Sequence, residues 1–199
     1  MIKTKGEQTK EMILAKAAVL FNRQGYFGAS LSDIMAATGL EKGGIYNHFT
    51  SKDDLALQAF DYAAEQTEAA FSAALQNKRH AIDRLLALAG VFEGVPDDKP
   101  IPGGCPVLNT AVVADDTHPA LLARAQQTML RWHETIERII RRGIERGEIR
   151  PEIDPDALAT HFFVTLEGAI MLSRLHRNTH FMDQTLRYLR EYLETAVKK

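Results

Sequence analysis

Apolar residues recur every three or four positions along nearly the whole chain, the spacing of amphipathic helices, and the alternation typical of strands is almost absent. Ile13, Ala17, Leu20 and Phe21 fall on one face of a first helix, which Gly25 is expected to end. Ser30 has the chemistry of an N-cap for a short second helix bearing Leu31, Ile34 and Ala37, and Gly39 closes it. A third short helix is expected after it, meeting the next at Thr50 and Ser51. Ser51 followed by Asp54 resembles a capping box and opens a fourth helix, which buries Leu55, Ala59, Phe60 and Phe71 and runs to about Gln76.

The second half continues in the same period. One helix spans Ala81 to Phe92, another starts near Pro106, and a longer one restarts after His118-Pro119 with Met129, Trp132, Ile136, Ile139 and Ile140 on one face. Between the first two, "EGVPDDKPIPGGCP" breaks the pattern with Pro96, Pro100, Pro102 and Pro106, and reads as a flap or pocket entrance over residues 94–104. Asp154 before Pro155 reads as an N-cap with proline in the first turn. The helix from Ala157 to about Arg174 is apolar nearly all round and should be buried on more than one side. A last helix carries Leu186, Leu189, Leu193 and Val197. The fold class is therefore all-α, about nine helices, with an N-terminal domain at 1–54 and a second at 55–199, the fourth helix serving both.

Composition narrows the function. A net charge of −2 excludes a uniformly basic surface, so nucleic-acid binding would need a local patch. A single cysteine excludes an internal disulfide and fits a reducing compartment. The N-terminus "MIKTKGEQTK" lacks the apolar core of a signal peptide, and no run approaches the roughly 18 apolar residues of a membrane span. A soluble cytoplasmic protein without a membrane partner is expected.

The third helix poses the sharpest chemical question. Gly43 and Gly44 lie side by side within it, at a cost of about 0.5–1 kcal/mol each relative to alanine. Two short helices joined by a tight turn at Gly39-Leu40 and held by a longer first helix are the ingredients of a helix-turn-helix. There the second short helix enters the DNA major groove, and a missing Cβ lets backbone approach a phosphate or base edge. Tyr46, Asn47 and His48 offer hydroxyl, amide and imidazole donors to phosphate oxygens, and Lys52 adds a cation at the start of the next helix. The other reading is an ordinary Gly-Gly loop with Tyr46 in the core. Charge does not decide between them, because seven bases and six acids precede residue 61.

"FNRQGYFGASLSDIMAATGLEKGGIYNHFTSKDDL" is similar, without gaps, to the DNA-binding domain of the TetR family of bacterial transcriptional repressors. The resemblance makes residues 31–38 the supporting helix and about 42–48 the recognition helix. It implies that Lys42, Gly43 and Gly44 face bases or adjacent backbone, that Tyr46, His48 and Lys52 contact phosphates, and that Ser30 and Ser32 do so at the start of the supporting helix. Ile45, Phe49, Phe21, Ile34 and Leu55 are expected in the core. "GEIRPEIDPDALA" is similar to the loop before the first dimerisation helix of such regulators.

The same resemblance implies a homodimer built on the last two helices, about 155–174 and 182–197, bound to double-stranded operator DNA. Gly168 and Ala169 would allow close helix approach, with Leu186, Leu189 and Leu193 in the seam or, alternatively, in their own subunit's core. It also implies a pocket for an unidentified small-molecule inducer. Its candidate lining is Leu88, Phe92, Leu108 and Asn109, with Met129, Trp132, Phe163 and Glu167. Each apolar member is equally suited to plain core. The Glu167 carboxylate, set among apolar residues in "FFVTLEGAIML", calls for a basic partner, a cationic ligand or the edge of the dimer interface. Cys105 precedes a helix start, where amides favour the thiolate, so it either senses electrophiles or merely packs. No cofactor is expected. An enzyme finds little support, since "HETIE" at His133 lacks the second histidine of a zinc motif and His176 and His180 flank a helix break. A helical adaptor that uses the N-terminal domain to bind protein is the remaining rival.

Overall fold

The computed structural model describes residues 4–93, 100–114 and 117–199. Among them are nine α-helices and no strand, apart from one antiparallel bridge between Ile149 and Lys198. The helices are α1 (Lys5–Gly28), α2 (Leu31–Thr38), α3 (Lys42–Tyr46), α4 (Lys52–Leu75), α5 (Ala81–Glu93), α6 (Pro106–Ala114), α7 (Pro119–Glu145), α8 (Pro155–His176) and α9 (His180–Tyr192), and α9 passes into a π-helical turn at Leu193–Val197. They form two compact units, one of residues 1–66 with 101–127 and one of 67–100 with 128–199. Residues 94–99 of the proline-rich segment, Pro96 included, lie outside the described residues.

In the first unit, α1 begins with a capping box: the Thr4 hydroxyl accepts from the Glu7 amide, and the Glu7 carboxylate takes the Thr4 amide at 2.7 Å. Gly25 does not end α1 as expected. The helix kinks there, at φ 73 and ψ 168, and resumes to Gly28. Only glycine adopts that backbone cheaply, and a Cβ would lie 3.3 Å from both Val113 methyls of α6. Ser30 caps α2 and Gly39 closes it at φ 71, both as the sequence indicates. Ile13, Ala17, Ile34, Ile45, Phe49 and Leu55 form one buried cluster, with Phe21 packed at its margin. Burying each large apolar side chain contributes roughly 1.5–3 kcal/mol, enough to hold two helices of eight and five residues that could not persist alone.

In the second unit, α5 buries Ile82, Leu85, Leu88 and Phe92, and α8 buries Phe162, Phe163, Leu166 and Ile170. Asp154 caps α8 through the Asp156 and Ala157 amides, with Pro155 in the first turn. The Ser173 hydroxyl accepts from the Met182 amide at 3.1 Å and fixes the α8–α9 corner. The chain end is tied down as well, because Arg150 donates to the Lys198 and Thr195 carbonyls.

Burial within the chain sorts the faces of the last two helices. Within the chain α8 buries the side that carries Phe162, Leu166 and Ile170 and leaves Val164, Met171 and Leu175 exposed on another. Of the two places open to the leucines of the last helix, Leu189 and Leu193 take their own subunit's core, where both are buried, and Leu186 is half-buried. The period of 3.6 residues identifies which residues share a face but not what that face meets.

Candidate nucleic-acid interface and ligand cleft

α3 is one and a half turns long, shorter than the expected 42–48, because Asn47 and His48 belong to the tightening turn that follows it. Its amides close locally: Gly44 N donates to Glu41 O at 2.9 Å and Asn47 N to Gly43 O at 3.0 Å. Ile45 is fully buried and pins the helix to the core, so Lys42, Gly43, Tyr46 and Asn47 are left exposed on the opposite side. A Cβ on Gly43 would meet nothing within 4 Å, so open space rather than crowding accompanies that glycine. The Lys42 ammonium sits 5.8 Å from the centre of the Tyr46 ring, joining charge and phenol into one donor patch. His48 is half-buried beside Phe49.

The hydroxyl of Ser30 is committed to its cap, donating to Asp33 Oδ2 at 2.6 Å and accepting from Asp33 N at 3.1 Å. The hydroxyl's bond to Oδ2, followed by the Ser30 amide's bond to the same oxygen at 2.8 Å, holds the Asp33 carboxyl below its ordinary range. Ser32 is the exposed hydroxyl at that end of α2. The start of α4 departs slightly from the expected box. Ser51 Oγ accepts from Asp54 N at 3.0 Å, but the Asp54 carboxylate returns to the amide of Thr50 at 2.9 Å rather than to that of Ser51. The Thr50 amide bond, followed by Gln58, lowers the Asp54 pKa.

Lys52 is folded back onto α1. Its Nζ donates to the Tyr26 carbonyl at 2.8 Å and lies 4.4 Å from the centre of the Tyr26 ring. The Tyr26 hydroxyl donates to the Asp53 carboxylate. Burial first, and then that bond, push the phenol up to about 12, so it remains a donor at neutral pH. The His118 ring meets Tyr26 edge-on at 4.7 Å, and its Nδ1 accepts from Leu121 N at 3.2 Å to cap α7.

Beside this cluster a narrow cleft of about 40 Å³ runs between α1, α4, α6 and the start of α7, lined by Phe21, Tyr26, Phe60, Asn109, Val113 and His118 among others. A void of that size holds a few waters, so a larger guest requires the helices to part. One wall is a clamp. Asn22, 8% exposed in α1, donates to the Pro102 and Gly104 carbonyls at 3.0 and 2.9 Å. Asn109 of α6 donates to Asn22 O, Asn22 Oδ1 and Gly103 O at 2.8–2.9 Å. Gly103, at φ 109, has Asn22 Nδ2 only 2.8 Å from where a Cβ would stand.

Of the sequence-derived ligand candidates, Asn109 lines this cleft. Cys105, just before α6, is buried next to the clamp at 4% exposure, and Leu108 of α6 is half-buried. The others belong to the second unit. Leu88, Phe92, Trp132 and Phe163 are buried there, with Phe71 5.7 Å from Phe92 and 5.3 Å from Trp132 between ring centres. The Trp132 indole donates to Glu68 at 3.0 Å. Met129 is half-buried, as is Glu167, whose carboxylate oxygens are shielded from solvent. Asn22, Tyr26, Asp53 and His118 were not singled out from sequence. Asn22 meets Asn109 87 positions on, Tyr26 meets Asp53 27 positions on, and His118 meets the ring of Tyr26 from the far end of the unit, so no local pattern announces these contacts.

Known proteins give the arrangement its context. Residues 13–59 match the family described as bacterial regulatory proteins, tetR family, and residues 81–189 match the tetracyclin repressor-like C-terminal domain. A TetR transcriptional regulator from Chloroflexus aurantiacus J-10-FL is 47% identical, with a TM-score of 0.94 and 98% of each chain covered. A TetR-family regulator from Cytophaga hutchinsonii is 33% identical, with a TM-score of 0.88 over 100% of this chain and 98% of its own. The HTH-type transcriptional repressor DhaR of Mycobacterium sp. (strain GP1) is 26% identical over 186 residues, covering 92% of this chain and 91% of its own. The helix-turn-helix of the first unit and the all-helical remainder thus place this chain in the TetR family of transcriptional regulators, a family of DNA-binding proteins and not of enzymes.

Proposed function

We propose that the chain is a cytoplasmic repressor that binds a pseudo-palindromic operator as a homodimer and leaves it when a small molecule binds. Residues 1–54 carry the DNA contacts, and 55–199 carry ligand binding and dimerisation. The observation that carries this reading is the outer face of α3, where Lys42, Tyr46 and Asn47 stand exposed above a fully buried Ile45. Lys42 and the bare backbone of Gly43, with the half-buried Gly44 beside it, read the major groove. Tyr46, Asn47 and His48 grip phosphates, joined by Ser32 and the first amides of α4, while Ser30 acts mainly through its cap. Lys52 reaches a phosphate only by leaving the Tyr26 carbonyl. Two-fold symmetry sets half-sites about 34–36 Å apart.

Inducer binding and operator binding compete as a population shift, with a coupling of about 1–3 kcal/mol changing operator affinity roughly 5- to 150-fold. The clamp from α1 to α6 supports a route within the first unit, because a guest that widens the cleft has to move Asn109 against Asn22. A thiol-reactive inducer has to loosen the same loop to reach Cys105, and a Cys105→Ser protein with a full response to inducer would exclude that chemistry.

Selecting bound fragments from a pool of genomic DNA tests the whole reading. The expected result is a short two-fold-symmetric consensus whose complex weakens steeply with salt. Equal binding to all duplexes at low ionic strength overturns it.

A further inference from the structure

The second unit holds a groove of about 360 Å³ between the α4–α5 turn, the start of α5 and the C-terminal half of α7. Six cations line it: Lys78, Arg79 and Arg84 on one side, Arg138, Arg142 and Arg146 on the other. Among the described residues Glu148 is the one acid in the lining, and its carboxylate already accepts the Ala81 amide at 2.7 Å. Among the described residues none of the six makes an ion pair.

Ordinary helix electrostatics accounts for only part of this set. Arg142 and Arg146 lie near the negative end of α7, where cations are favoured. Lys78, Arg79 and Arg84 surround the positive end of α5, where cations are disfavoured. Arg138, Arg142 and Arg146 follow one another at i, i+4, so each step sets like charges face to face on one side of the helix. The walls are also held firmly together. Gly143 is pressed so close to α5 that a Cβ would lie 2.6 Å from Ala81 Cβ and 2.7 Å from Ile149 Cδ1. Arg84 is anchored by donating to the Lys78 carbonyl at 3.0 Å.

We propose that this groove is a binding site for a compact polyphosphate anion, a small molecule carrying a di- or triphosphate group. Guanidinium groups suit phosphate oxygens because two parallel N–H donors match two oxygens. The row from Arg138 to Arg146 rises about 12 Å, longer than one phosphate needs and matched to two or three in line. Thr135 adds a neutral donor at the end of that row.

Titrating the full chain with sodium tripolyphosphate at fixed ionic strength, followed calorimetrically and by thermal melting, tests the assignment. Saturable binding, one per chain and with a dissociation constant below about 1 mM, is expected, together with a rise in melting temperature. Arg138→Gln with Arg142→Gln should weaken it at least tenfold, and Arg79→Gln separately should weaken it severalfold. The exposed Arg187→Gln should leave it unchanged. Far-UV circular dichroism of the ligand-free variants confirms folding, and Arg79→Gln, in a turn, serves should the double variant fail. Binding that sodium sulfate matches at equal ionic strength, affinity unchanged in both groove variants, or no saturable binding overturns the proposal. So does displacement of tripolyphosphate by short non-operator duplex, which would make the groove a nucleic-acid contact.

Discussion

Asn22 and Asn109 satisfy one another and three loop carbonyls, so each side chain stands in for several groups that would otherwise be buried dry. Asn22→Leu removes the donors to Pro102 and Gly104. The expected loss is about 1–3 kcal/mol per orphaned group, read as a lower denaturant midpoint with an unchanged slope. Asn109→Ala should cost less, because Asn109 is only half-buried and water can replace it. On the outer face of α3 the consequences differ in kind. Tyr46→Phe and His48→Ala should weaken binding to operator and random duplex alike, because phosphates carry no base information. Lys42→Ala should instead change which sequences are preferred. Quantitative gel shifts on both kinds of DNA check the division, and equal losses for all three on both would count against it.

At the scale of the helix, acidic caps make the reading head sensitive to acid. Asp33 and Asp54 have pKa values lowered from the ordinary 3.8, by bonds from Ser30 and from the Thr50 amide respectively. A depressed folded pKa means that the contribution to stability is complete above 3.8 and is lost as pH falls through the lower folded value. Asp54→Asn should therefore melt earlier than wild type at pH 7 and converge with it once the pH has passed below the lowered folded value, as thermal scans from neutral pH down to about pH 2 would show. These caps were legible in the sequence, as were the turn at Gly39, the short α2 and α3, and the Asp154-Pro155 start of α8. All are decided by residues within four positions of one another. The kink at Gly25 was not legible, because the chain bends there to pass Val113 of α6. Neither was the Asn22 clamp, nor the basic groove, whose two walls lie about sixty positions apart in the chain. Local chemistry writes local structure plainly, whereas sites assembled from distant helices leave no pattern to find.

For the molecule as an assembly, the proposed dimer turns on the outer face of α8. Val164, Gly168, Met171 and Leu175 follow the 4-3-4 rhythm of a helix seam, and Val164, Met171 and Leu175 are 67%, 53% and 72% exposed. Tyr188 of α9, also exposed, stacks with Tyr192. A Cβ on Gly168 would meet nothing within 4 Å, which leaves room for a second helix to come close. An apolar stripe of this kind is what a two-fold four-helix contact would cover. Leu189 and Leu193 point the other way, into their own chain, and that opposition supplies the test. Val164→Glu with Met171→Glu places charge only on the outer stripe, so the chain should stay fully helical while light scattering reports a monomer. Operator affinity should then fall by roughly 10²–10⁴-fold, the advantage that two linked reading heads have over one. Leu189→Glu instead buries a carboxylate in the core and should unfold the second unit. If the double variant stays dimeric, the stripe is not the seam. If it becomes monomeric yet holds operator as tightly as wild type, a single α2–α3 unit suffices for recognition and the two-fold operator has no basis.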